Sequence, residues 1–292
     1  MATEVILTGT GIPHPTPGRA GAGTMVRSGD VVLQFDAGRG TVLRMAEAGV
    51  RPHDLAALFL THVHSDHVVD VADVAMTRWL EDQLALCGPL PIVTATGTTE
   101  PFLATLFDSF SEDIALRIAH VQERGPEIAI STFAPSANPQ PVWSSVDGTV
   151  SVSMVAVHHE PVDAVAYRVD TPDAAVVISG DTRVCDEVAE ISSGAAVLVH
   201  EACRTTAMAP MIAGTFFEKV FDYHADTVAL GQMAQAAGVP HLVLTHLIPS
   251  PTTPAEVEAF ADDVRTGGYS GRVSVGSDLS RVVIDDQFDA EA

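Results

Sequence analysis

Lysine is almost missing from this chain. Of the 15 basic residues among 292, only Lys219 is a lysine, and 38 acidic residues bring the formal net charge to −23. A surface of that sign repels phosphate backbones and anionic membranes at long range, which disfavours tight nucleic-acid binding. The arginines are scattered, so no local basic cluster offsets the average. Aromatic residues are scarce at 5%, leaving little material for base-stacking platforms. The three cysteines, Cys87, Cys185 and Cys203, are odd in number and lie in no C-x-x-C spacing. Neither a disulfide framework nor a thiolate zinc knuckle follows from that count and spacing. No apolar run approaches the roughly 18 residues that span a bilayer. The N-terminus MATEVILTGTG lacks a basic region and a long apolar stretch, so no signal peptide is expected. The expected setting is the cytoplasm, with no membrane partner.

What is present is hydrophobic material, 47% of the residues, enough for a large core in one domain spanning residues 1–292. Short β-rich apolar runs alternate with Ala-rich helical stretches, the pattern of a layered α/β domain. Strands are predicted within residues 5–7, 31–35, 57–60, 152–157, 164–169, 175–178, 196–199 and 242–244. Ala72, Ala75, Met76, Trp79 and Leu80 recur at helical spacing, as do Leu230, Met233, Ala234 and Ala237. The second of these helices has an N-cap candidate in Asp226 and a stop at Gly238. Residues 123–148, rich in Pro, Ser and Gly, read as a surface excursion, and the acidic tail from Asp285 as a frayed end. No tandem repeat is visible.

One pattern organises the chemistry. Several apolar strands run into a metal-competent side chain: Phe35 into Asp36, Leu60 into His62, Val157 into His158-His159, Ile178 into Asp181, Val199 into His200-Glu201, and Leu244 into His246. Strands of one sheet that finish this way deliver their side chains to a single edge. The cluster THVHSDH, Thr61 to His67, is the strongest local signal. On an extended segment His62 and His64 point the same way, and neutral imidazoles hold zinc at about 2.0–2.1 Å. Asp66 and His67 follow where strand turns into helix and project to a neighbouring point.

HVHSDH resembles the H-x-H-x-D-H motif of metallo-β-lactamase-fold hydrolases. LTGTG at Leu7, FDAG at Phe35, HEPVDAVAYR at His159, SGDT at Ser179, LVHEA at Leu198 and LVLTHLIP at Leu242 resemble the branch containing ribonuclease Z and the arylsulfatase-like enzymes. These segments span nearly the whole chain. The resemblance implies a four-layer αββα sandwich carrying two zinc ions, with manganese or iron as alternatives. It implies one ion on His62, His64 and either His158 or His159, the spacing to Pro161-Val162 favouring His159. The second ion would lie on Asp66, His67 and His246, with Asp181 bridging the pair. A metal-activated water is then the implied nucleophile, positioned or deprotonated by Asp66. His224, in YHADT, resembles the non-ligand histidine of ribonuclease Z and is the implied general acid, oriented by Glu201. The chain departs from that enzyme's usual His-Ser-Thr at this point, reading His-Ala-Asp-Thr.

The remaining candidates take structural expectations. Asp36 is expected to brace the THVHSDH loop, His200 to support Glu201, Arg168 to form an ion pair as readily as to meet substrate, and Cys203 to be a buried thiol. His14, His53, His120 and His241 read as ordinary surface or loop histidines. Because no Lys/Arg-rich arm is visible, the expected substrate is a small-molecule sulfate, phosphodiester or lactone-like ester, with tRNA 3′ processing second and non-catalytic metal binding third. The segment Asp113 to Gly125 resembles the connector of arylsulfatase-like members and supports that order. Specificity is expected from loops at residues 12–23, 79–91 and 207–223. Related enzymes are often dimers, which makes a homodimer an option.

Overall fold

The computed structural model describes residues 2–284; the acidic tail from Asp285 lies outside the described residues. The first sheet is built from β1 (Thr3–Gly9), β2 (Gly23–Ser28), β3 (Val31–Phe35), β4 (Ala57–Leu60), β5 (Leu90–Ala95) and β6 (Ile128–Phe133). The second contains β7 (Gln140–Ser144), β8 (Ser151–His159), β9 (Val162–Asp170), β10 (Ala175–Ile178), β11 (Val197–Cys203), β12 (His241–Ile248) and β13 (Arg272–Val275). The last strand, β14 (Arg281–Ile284), returns to the first sheet, so the spatial orders are β14-β1-β2-β3-β4-β5-β6 and β13-β12-β11-β10-β9-β8-β7.

Both sheets are mixed, and they repeat one plan. From β14 to β6 the pairings run antiparallel three times and then parallel three times, and from β7 to β13 they do the same. This duplication is invisible as a sequence repeat because only the strand directions are shared.

Three apolar layers hold the sandwich. Between the sheets lie Val5, Leu7, Leu33, Phe35, Phe59, Val165, Tyr167, Ile178, Val199 and Val243, all buried. Phe35 stacks on Phe59 with ring centroids 4.8 Å apart, and Tyr167 meets both rings while donating its hydroxyl to the Leu60 carbonyl at 2.8 Å. Outside the first sheet, Leu58, Leu60, Val71, Val74 and Ile92 pack with the helix Val71–Ala85. Outside the second, Leu230, Met233, Phe260 and Val264 of the helices Thr227–Ala236 and Pro254–Thr266 cover Leu198, Leu242 and Leu244. Helix, sheet, sheet, helix is the expected four-layer αββα sandwich.

The helices at Ala72 and Leu230 form where the periodicity places them. Asp226 caps the second, its Oδ1 accepting from the Val228 and Ala229 amides at 3.1 Å each, and Gly238 leaves the helix at φ +67°. Residues 123–148 are different from the expectation. They hold β6 and β7, the edge strands of the two sheets, whose side chains are largely exposed. Edge strands bury neither face well, so they show no apolar alternation to read. The short strands β2, β5, β13 and β14 also escape sequence reading, β5 because Pro91 sits inside it.

A candidate metal centre at the sheet edges

Every residue singled out for the metal pair comes to one place. His62 and His64 follow β4, Asp66 and His67 open the short helix Ser65–Val68, and His159 ends β8. Asp181 follows β10 and His246 lies in β12. Three of these placements, after β4, at the end of β8 and after β10, are strand ends, where the side chains leave the sheet.

His246 arrives by a bulge. In the β11–β12 ladder Glu201 pairs with Thr245 and Ala202 with Leu247, so His246 is the extra residue between them, at φ +43°. A bulge with a left-handed residue re-aims a side chain that regular pleating would send elsewhere. Asp36, also left-handed at φ +57°, turns back beneath the histidine loop. Its Oδ1 accepts from the Thr61 amide at 2.8 Å, and its Oδ2 accepts from the Thr61 hydroxyl and His67 Nδ1, both at 2.7 Å. It braces, as expected. Gly180, at φ +59°, lets the chain before Asp181 pass Thr61, where an added Cβ would stand 2.8 Å from the Thr61 Cβ.

The geometry divides the side chains into two sets joined by one carboxylate. His159 Nε2 stands 3.1 Å from His64 Nδ1, and candidate ligand atoms of His62, His64 and His159 lie within 4.8 Å of one another. The same bound encloses Asp66, His67 and His246, with His246 Nε2 3.2 Å from Asp66 Oδ2. Asp181 Oδ2 sits between the sets, 3.3 Å from His67 Nε2, 3.4 Å from His246 Nε2, 3.8 Å from His159 Nε2 and 3.9 Å from His62 Nε2. His158 points away and meets Glu187 Oε1 at 3.2 Å.

The donor set fits divalent cations. His62 Nε2, His67 Nε2 and Asp181 Oδ1 are buried without a well-formed hydrogen bond, although such atoms cost about 1–3 kcal/mol each when left unsatisfied. Burial, with His67 adding repulsion, drives the His62 imidazole well below its usual pKa, and burial lowers His64 and His159 as well. Neutral imidazoles are the form that binds metal. Burial opposes the charged form of His67, but Asp181, Asp36 and Asp66 outweigh it and raise that pKa well above normal. Asp181, which burial alone would raise, is held well below the carboxylate range by His246, His67 and His62. Asp66 is lowered too, with burial opposed by His67 and His246.

Beside this cluster His224 Nδ1 donates to Glu201 Oε1 at 2.8 Å, and the Thr182 amide donates to the same oxygen at 2.8 Å. Burial works against a charged His224, yet Glu201 raises its pKa to about 9. The other candidates are structural. His200 Nδ1 meets the Glu201 carbonyl at 2.8 Å, and Arg168 donates to Asp170 and to the Ile191 and Ser193 carbonyls. Burial pushes the Cys203 thiol far up.

A cavity of about 720 Å³ opens over the cluster. His64, Asp66, His159, Asp181, His224 and His246 form its polar floor. Loop residues Ile12 to Thr16 and the segment Met208 to Tyr223 form its walls, as expected. The described side chains of residues 79–91 do not, those of 83–85 lying outside the description: Trp79, Asp82, Gly88 and Pro89 line a separate small crevice with Arg124. Helical spacing packs Trp79 against its own neighbourhood, where its indole donates to the Arg124 carbonyl at 2.7 Å. Two histidines also differ from expectation. His14 sits on the cavity wall, and His241 is buried in β12 with Nε2 2.8 Å from the Ser274 hydroxyl. Sequence spacing also missed Ile248 and Pro249, which line the cavity just past the bulge.

The chain belongs to the β-lactamase superfamily, whose domain profile matches residues 33–247, and it has the metallo-β-lactamase fold of a hydrolase family. Ribonuclease Z of Mycolicibacterium paratuberculosis is 39% identical over 283 residues, covering 97% of this chain and 98% of the relative. Ribonuclease Z of Mycobacterium bovis is 37% identical over 282 residues, covering 96% and 98%. Among solved structures, the metallo-β-lactamase fold protein YhfI from Bacillus subtilis matches with a TM-score of 0.73 at 22% identity, covering 97% of this chain and all of that one. Human tRNase Z, short form, matches at 0.68 and 18%, covering 97% and 99%; at these identities the likeness is one of fold.

Proposed function

We propose that the chain is a metal-dependent phosphodiesterase, with RNA cleavage of the ribonuclease Z kind, tRNA 3′ processing, as its specific reading. The relatives' name favours this over the small-molecule ester that charge and composition put first. The observation that carries the metal-dependent part is Asp181 Oδ2, within 3.9 Å of nitrogens from four histidines drawn from both sets. His62, His64 and His159 would hold one ion; Asp66, His67 and His246 the other; Asp181 both. Zinc suits these nitrogen and oxygen donors. When bound, such ions acidify water and polarise the phosphoryl oxygens.

The chain's own residues do the rest. Asp66, its pKa lowered, is ionised at neutral pH and takes or orients the proton of the attacking water. His224 gives its Nδ1 proton to the hydrogen bond with Glu201, leaving Nε2 to protonate the departing oxygen. Water adds across the P–O bond, and one alcohol and one phosphate monoester or RNA end result. The test is hydrolysis of a precursor tRNA and of bis(p-nitrophenyl) phosphate, before and after exhaustive chelation, with metal analysis. Turnover untouched by complete metal removal rejects the proposal. A small-molecule ester is the second reading, favoured by the −23 net charge and by a cavity wall without lysine or arginine among the described residues. Failure to cleave or bind precursor tRNA at low salt, with bis(p-nitrophenyl) phosphate still hydrolysed, selects it.

A further inference from the structure

One wall of the cavity is far more apolar than an exposed surface needs to be. The helices Thr205–Ile212 and Phe216–Phe221 place Met208, Met211, Ile212, Phe216, Phe217 and Phe221 there. Met211 is 73% exposed, Phe216 71% and Phe217 43%. Leaving such side chains in water is unfavourable, and contiguous patches of this kind mark binding surfaces. Phe216 and Phe217 also meet each other, ring centroids 4.1 Å apart and planes at 32°, a tilted pair that presents aromatic area to solvent. Consecutive residues seldom pair unless a turn holds them so; here the helix begins at Phe216, just after Thr215, whose hydroxyl donates to the Ile212 carbonyl at 2.6 Å.

The same cavity holds His64, Asp66, His159, Asp181, His224 and His246 on its floor. A substrate whose scissile ester sits on that floor therefore reaches this wall with its adjoining substituent. No lysine or arginine lines the cavity among the described residues, and His224 belongs to the floor, so a second charge on that substituent would meet no guanidinium or ammonium group. We propose that Phe216 and Phe217 form a stacking shelf for an uncharged aromatic ring next to the scissile phosphoester. This rests on the phosphodiesterase reading above and adds its specificity. Two sources share the chemistry: a nucleobase flanking the cleaved bond of an RNA, or the aryl group of a small phosphodiester. Stacking tolerates either, because every such ring offers a π-face.

Inhibition by phenylphosphonate and methylphosphonate, measured on the metal-loaded enzyme against bis(p-nitrophenyl) phosphate, separates the shelf from the floor. Stacking of one ring corresponds to a preference for phenylphosphonate of about 10-fold or more. In Phe216→Leu/Phe217→Leu, which keeps the wall apolar and the fold intact by thermal melting, that preference falls to about 3-fold or less while the methylphosphonate Ki stays put. Equal preference in both proteins overturns the shelf and leaves the phosphodiesterase reading standing. Absence of both hydrolysis and methylphosphonate binding overturns both. Replacing the nucleotide on either side of the tRNA cleavage point by an abasic ribose then assigns the source. Loss of about 10-fold in cleavage, absent in the leucine variant, identifies a nucleobase; an uncleaved precursor alongside a cleaved aryl diester identifies a small molecule.

Discussion

His159 Nε2 lies 3.1 Å from His64 Nδ1, two imidazole nitrogens brought face to face from different sheets. Both pKa values are pushed down, first by burial, so both rings are held neutral with one N–H each. His159 Nδ1 is meanwhile 3.3 Å from the Tyr223 carbonyl, to which it donates, and that tautomer turns the Nε2 lone pair toward His64. With His62, the pair forms a group that could hold a metal ion.

Removing the carboxylate between the two sets is expected to release metal. Asp181→Ala should lose most of the two equivalents expected per chain, read by elemental analysis. It should also abolish the several-degree thermal stabilisation that saturating metal gives, since ligand at 100 times its Kd adds about 2.7 kcal/mol. Unchanged metal content in Asp181→Ala would count against the bridging assignment.

His224 is expected to set the alkaline limb of activity. With its pKa raised to about 9 by Glu201, it stays protonated, and able to donate, through neutral pH. Activity should fall as pH rises past that value. Glu201→Gln should bring the fall to lower pH without removing metal, and His224→Asn should cost about 10²–10⁴-fold in kcat. In the metal-free protein the same shift bears on stability. Folding tightens the proton on His224 relative to the ordinary 6.5, so its contribution is complete below pH 6.5 and vanishes as pH climbs through 9. The thermal midpoint of Glu201→Gln should show a flatter dependence over that window.

Asp36 supports the centre without touching the cavity. Asp36→Ala strands the Thr61 amide, the Thr61 hydroxyl and His67 Nδ1 in a buried space and puts alanine at φ +57°. A loss of about 3 kcal/mol in unfolding free energy is expected by denaturant titration. Asp36→Asn accepts the left-handed backbone better and should recover part of the stability. Its metal affinity should remain about 10- to 100-fold weaker, because the amide cannot serve all three donors.

Gly231 lets two helices touch. A Cβ there would stand 2.1 Å from the Val264 carbonyl oxygen, where the helix Thr227–Ala236 crosses Pro254–Thr266. Gly231→Ala should destabilise by about 1–3 kcal/mol, despite alanine's better helix propensity, with metal content unchanged. A stabilised variant would refute that contact.

The alternation of apolar runs and Ala-rich stretches, and THVHSDH with the His, Asp and Glu residues that follow later strands, were legible in order along the chain. They are legible because period-2 and period-3.6 burial, and dense histidine spacing, are local properties of neighbouring residues. The doubled sheet plan was not, because strand direction leaves no mark on residue identity. Nor was the route of His246, which reaches the centre through a bulge at φ +43° set by its pairing with β11. The choice of His159 over His158 was only weighted by spacing; pleat alternation, fixed by pairing with β9, turns one ring inward and the other toward Glu187. The chain's order of residues determines which groups are available for chemistry. Tertiary packing alone decided that groups up to 182 positions apart, His64 and His246, meet on one floor beneath an apolar wall, since only the face-to-face packing of two sheets brings distant strand ends within ångströms.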